Sequence, residues 1–102
     1  MNVIVAPSAR NDLRGILSYI AEENATAAER LSERFEAVFK LLGPNPWLGE
    51  SCPQYGVGLR YAFAGVYVIF YDVDQAADSV NIRAVLHGAR DLPVELMKRS
   101  VS

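Results

Sequence analysis

The chemistry available to this chain is concentrated in five side chains between positions 60 and 87: Arg60, Tyr67, Tyr71, Arg83 and His87. Two guanidinium groups held side by side would clamp a phosphate or a carboxylate. A histidine beside them would give or take a proton near neutral pH, and a tyrosine hydroxyl would orient the bound group. The same residues have plainer readings. Arg60 could pair with Asp91 across the sheet rim at modest energy. His87 could be a satisfied strand-end group, and Tyr67 and Tyr71 are strand formers that pack. With one histidine and one cysteine there is no zinc constellation, so neither a metal nor another cofactor is expected. Cys52 cannot form an internal disulfide and reads as an incidental loop thiol, not a nucleophile.

Three strands must position these groups. Val57–Phe63 alternates, with Val57, Leu59, Tyr61 and Phe63 on one side and Gly58, Arg60 and Ala62 on the other. Val66–Tyr71 is apolar or aromatic throughout, as in a central strand. Val80–His87 alternates again, setting Val80, Ile82, Ala84 and Leu86 against Asn81, Arg83, Val85 and His87. Turns at Ala64-Gly65 and across Asp72–Ser79 make an antiparallel meander. A two-residue Ala64-Gly65 turn pairs Phe63 with Val66. Tyr67, Ile69 and Tyr71 then share the face of Arg60, Arg83 and His87, whereas a three-residue turn removes the tyrosines from it.

Upstream, Asn2–Ala6 reads as a short strand, and Ser8 as the N-cap of a helix with the stripe Ala9, Leu13, Ile16, Leu17 and Ile20. Arg10, Asp12 and Arg14 lie off that stripe on a solvated face. Thr26 and Glu29 match a capping box for a second helix, with Ala27, Leu31, Phe35, Val38, Phe39 and Leu42 inward and Gly43-Pro44 as its stop. The hairpin of helices covers one face of the sheet. In the Pro- and Gly-rich segment 45–56, Trp47 and Leu48 are expected to anchor in the core. A short terminal helix from Asp91 or Pro93 places Leu92, Leu96 and Met97 inward, before a basic tail at Lys98-Arg99. The expected fold is α+β, β-α-α-β-β-β-α, with the Arg60/Arg83 face open. The first strand should oppose the second if the two are neighbours. Leu59, Phe63, Val68, Ile82 and Leu86 should form the core with Leu13, Ile16, Leu31 and Phe35.

Composition bounds the answer. At 102 residues this is one domain, 1–102, with 92–102 as terminal helix and tail. A chain that is 51% hydrophobic is not disordered. Its apolar runs are too short for a membrane span and no signal segment is visible, so a cytoplasmic protein without membrane partners is expected. A net charge of −2 gives no basic footprint for nucleic acid.

Taken together, the motifs resemble the RelE/ParE toxin superfamily. Ala9–Ile20 (ARNDLRGILSYI) is similar to its first helix. Pro46–Gly49 and Gly58–Arg60 are similar to its passage into the sheet, and Tyr67–Tyr71 and Val85–Asp91 (VLHGARD) to its last strands. The resemblance implies the toxin of a bacterial type II toxin–antitoxin, or plasmid stabilisation, system. It further implies a co-expressed antitoxin whose extended, acidic, part-disordered segment folds on the toxin. RelE-like members are ribosome-dependent mRNA endonucleases, and that reading assigns Arg60, Arg83 and His87 to phosphate and proton chemistry. ParE-like members lack that apparatus and poison DNA gyrase by protein contact. Segment 45–59 holds no lysine or arginine, Gly88 follows His87, and the pI of 5.3 suits neither ribosome nor mRNA. The ParE-like branch, which is not an enzyme, is therefore favoured. A non-toxic interaction module of the same fold is the third reading. The expected antitoxin- or target-binding residues are Arg60, Tyr67, Tyr71, Arg83, His87, Arg90, Arg10 and Arg14, with Arg30 and Arg34 on the outer helical face. A homodimer or a heterotetramer with the antitoxin are the assemblies such a surface would serve.

Overall fold

A computed structural model describes residues 1–89. Along it run β1 (Asn2–Val5), α1 (Pro7–Glu23), α2 (Ala25–Leu42), β2 (Glu50–Ser51), a 3-10 turn (Pro53–Tyr55), β3 (Arg60–Ala64), β4 (Tyr67–Asp74) and β5 (Ser79–His87). The expected terminal helix, with Leu92, Leu96, Met97 and the Lys98-Arg99 tail, lies outside the described residues, as do Arg90 and Asp91. The α+β architecture is the expected one: two helices pack on one face of a five-stranded mixed sheet ordered β1-β5-β4-β3-β2.

Both helices start two residues earlier than the capping signals suggested. Pro7 opens α1 behind an extended Ala6 with no side-chain cap, because proline needs no N–H partner and its φ is already helical. Ser8 is free for another task and donates its Oγ–H to the Arg83 carbonyl at 2.7 Å. Asn24, not Thr26, caps α2: its Oδ1 accepts from the Ala27 N–H at 3.0 Å.

At one edge β1 runs parallel to β5, with β5 and β4 standing between it and β3. The antiparallel relation expected of neighbouring first and second strands therefore does not arise. The added strand is β2, two residues paired with β3 and too short to leave a periodic signal.

The β3–β4 turn is Gly65-Val66, one residue later than expected, so Ala64 faces Tyr67 and Phe63 faces Val68. Gly65 takes the positive φ, 62°, that a two-residue turn favours in its first central position. Since the shift moves the pairing by two residues, Arg60, Ala62, Tyr67, Ile69 and Tyr71 still share a face.

The covered face is the other one. Tyr67, Ile69, Tyr71, Val80, Ile82 and Val85 meet Phe35, Leu42, Ala9 and the half-buried Leu13, Ile16 and Leu31 from the helices. Phe35 and Tyr67 meet edge to face at 5.6 Å. Val68, Phe70, Ala84 and Leu86 form a second apolar cluster on the opposite face with Cys52, Tyr55, Leu59 and Tyr61. Strict alternation of β5 fails because a bulge falls between Phe70 and Tyr71. Phe70 pairs with Ala84 but Tyr71 with Ile82, and Arg83 is the extra residue. Val80 and Ile82 therefore face the helices, while Ala84 and Leu86 face away. Phe63, expected in the core, is 62% exposed, and Val57 stands outside any strand.

Candidate functional site

Arg60 and Arg83 occupy opposite faces of the sheet, so the side-by-side clamp expected from the sequence is absent. Arg60 begins β3 opposite Tyr71, on the helix-covered face near the β2 edge. Its Nε and Nη2 donate to the Gly49 carbonyl at 3.1 and 2.7 Å, and Nη2 also reaches the Trp47 carbonyl at 3.2 Å. The guanidinium carbon lies 5.3 Å from the centroid of the Trp47 ring. Arg83, displaced by the bulge, donates from Nε to Asp72 Oδ2 at 2.6 Å. Asp72 also accepts from Asn81 Nδ2 at 2.9 Å. A cleft of about 370 Å³ opens beside this ion pair, floored by Leu59, Phe70 and Ala84 and walled by Tyr55, Val57 and Ser8.

The other expected site residues separate as well. Tyr71 is fully buried on the helix side, where its hydroxyl accepts from Gly49 N–H at 2.8 Å and donates to the Pro46 carbonyl at 2.9 Å. Tyr67 is buried under α2 and meets the His87 ring edge-on at 5.6 Å. Neither tyrosine lies on an open face. His87 Nδ1 accepts from the Ala89 N–H at 3.2 Å, which engages that nitrogen with backbone. Arg10 and Arg14 line α1, bonding Val5 O and Asn11 Oδ1, and Arg30 and Arg34 flank a shallow groove on α2 with Asn24 and Leu31.

Two side chains have roles their sequence context did not reveal. β1 stops pairing at Ile82, which leaves the β5 edge beyond it needing partners. Ser8 takes the Arg83 carbonyl, and Asp12 Oδ2 accepts from Val85 N–H at 2.9 Å. Asp12 is thus a tie between α1 and β5, not one of a row of solvated charges. Cys52 is buried in the second apolar cluster, where desolvation pushes its thiol pKa up and the Arg60 charge partly opposes that. A raised thiol is a poor nucleophile. Trp47 and Leu48, expected in the core, are 53% and 56% exposed. Among the described residues no cluster of histidine, cysteine and carboxylates could hold a metal ion.

Comparison with known proteins adds two findings. A family model described as the ParE toxin of the type II toxin-antitoxin system parDE matches residues 3–92. A solved structure described as the chromosomal ParDE TA system from P. aeruginosa has the same fold. It superposes with a TM-score of 0.72 at 16% identity, covering 85% of this chain and 95% of that one. No curated protein matches.

Proposed function

The chain belongs to the ParE toxin family of type II toxin–antitoxin systems, and from that premise we propose that it poisons DNA gyrase by protein–protein contact and is neutralised by a cognate ParD-like antitoxin. One observation carries the choice of contact over catalysis: the sheet separates Arg60 from Arg83. Ribonucleolytic cleavage needs cations and an acid–base group converging on one phosphate. Here one arginine is bound to loop carbonyls and the other to Asp72 across the sheet, while the His87 ring sits against Tyr67 on the helix side. An approaching RNA phosphate would find only one of these cations on either face.

A contact poison instead needs a rigid scaffold and a few exposed anchors. Ile4, Tyr19, Trp47, Leu48, Phe63 and Val66 are large apolar side chains left about half exposed or more. Gyrase works in the bacterial cytoplasm, and the toxin would act there; no described helix is long and apolar enough to cross a membrane.

The test uses purified gyrase. Wild-type protein should inhibit supercoiling in proportion to its concentration, stoichiometric antitoxin should restore it, and mRNA on translating ribosomes should remain uncut. Cleavage of message in the ribosomal A site, with gyrase unaffected, would replace this reading with the RelE-like one.

A further inference from the structure

Segment 45–49 is held by an unusual number of polar ties for a loop that displays apolar side chains. The buried Tyr71 hydroxyl bonds both Gly49 N–H and the Pro46 carbonyl, and Arg60 bonds the Gly49 and Trp47 carbonyls. Asn45 Nδ2 donates to the Leu41 carbonyl at 3.0 Å, and Leu48 N–H to the Asn45 carbonyl at 3.1 Å. Gly49 has no room for a side chain, since a Cβ would stand 2.3 Å from the Tyr61 carbonyl oxygen. What this scaffold presents is Trp47 and Leu48, 53% and 56% exposed, and Asn45 ties it to the last turn of α2, which carries Leu41, 49% exposed. An aromatic residue already fixed in place loses little entropy on binding, which is the condition for an interface anchor.

Charge narrows the occupant. Arg60 lies against the Trp47 ring, and among the described residues its guanidinium bonds only the Gly49 and Trp47 carbonyls, through Nε and Nη2 and not Nη1. The Asp72–Arg83 ion pair is on the opposite face. A partner segment that matches this patch brings an apolar side chain onto Leu41, Trp47 and Leu48 and a carboxylate to Nη1. A second copy fits less well, because the carboxylate that follows this patch in the chain, Glu50, is engaged by the Tyr61 hydroxyl at 2.6 Å.

We propose that the Leu41–Trp47–Leu48 knuckle with Arg60 is a docking site for a segment of the antitoxin in which an apolar residue is flanked by a carboxylate. This rests on the toxin reading above. The experiment labels the single tryptophan with 5-fluorotryptophan and titrates the full-length toxin with its cognate antitoxin, following fluorine NMR and calorimetry. Antitoxin should shift the Trp47 resonance, and Leu48→Glu, with far-UV circular dichroism unchanged, should weaken binding about thirtyfold or more. Arg60→Gln should weaken it too, and Lys98→Glu by no more than about threefold. An unmoved Trp47 resonance at saturating antitoxin, or Leu48→Glu binding like wild type, overturns the proposal and leaves the toxin reading standing. Failure of folded wild-type protein to bind its antitoxin at all overturns both. Toxin self-association abolished by Leu48→Glu, with antitoxin affinity untouched, gives the patch to a second copy and also overturns it.

Discussion

Tyr71→Phe should cost far more than the loss of one oxygen atom suggests. The ring is fully buried and phenylalanine fills the same space, so the cavity contribution is small. The hydroxyl, however, satisfies two backbone groups of a loop remote in sequence. Gly49 N–H is buried beneath it and, left without a partner, costs about 1–3 kcal/mol. The Pro46 carbonyl is half-buried and can recover water, adding about 1 kcal/mol. The sum is about 2–4 kcal/mol, and with a urea slope of about 1 kcal/mol per molar for a chain of this size, the midpoint should fall by about 2–4 M. Tyr67→Phe is the internal control. Tyr67 is almost as buried, but its hydroxyl makes no hydrogen bond with the described residues, so its removal should cost under about 0.5 kcal/mol. Equilibrium urea unfolding followed by far-UV circular dichroism measures both. If the two variants unfold at the same midpoint, the loop is not held by Tyr71 and the reasoning fails.

Three further outcomes are expected. Asn24→Ala should lower stability by about 1 kcal/mol and Thr26→Ala by a few tenths, because Asn24 is the residue that caps α2; the reverse order in thermal unfolding would restore the capping box. Tyr61 donates to Glu50 and its pKa is raised by that bond, then by desolvation. This stabilisation is complete below the ordinary tyrosine value of about 10 and is lost as pH rises from there through the raised one, so Tyr61→Phe should flatten the alkaline decline in stability. Asp72→Asn breaks a pair that is half exposed on the arginine side and should cost no more than about 1 kcal/mol by urea unfolding, against several for a buried pair.

The elements of this fold were legible because period and punctuation agree: the Leu13/Ile16/Ile20 stripe and the Gly43-Pro44 stop leave local marks, while the α2 cap and the β3–β4 turn fall two residues before and one residue after the places read for them. The covered face was not, since Val66–Tyr71 is apolar at every position and offers both faces equally. Alternation in 57–63 then pointed the wrong way, because Leu59 and Tyr61 belong to the smaller cluster opposite the helices. The bulge at Arg83 left no sequence mark, since a single added residue does not change which letters are apolar. It nevertheless moved Arg83 and Ile82 to faces that strict alternation denies them, and it dissolved the clamp. Trp47 was misplaced for a related reason: apolar character does not reveal that Tyr71 and Arg60 hold the loop by its backbone and leave the indole outside.

The central claim, action by contact and not by catalysis, is tested most directly by inducing His87→Ala combined with Arg83→Gln in bacteria lacking the antitoxin. A nuclease deprived of an acid–base group and a phosphate cation loses about a hundredfold or more in rate per group. A contact poison loses neither scaffold nor anchors. With folding verified by circular dichroism, the double variant should still arrest growth and still inhibit purified gyrase at concentrations within a few fold of wild type. Restored growth from a folded double variant, with wild-type protein cutting ribosome-bound message, would contradict the account.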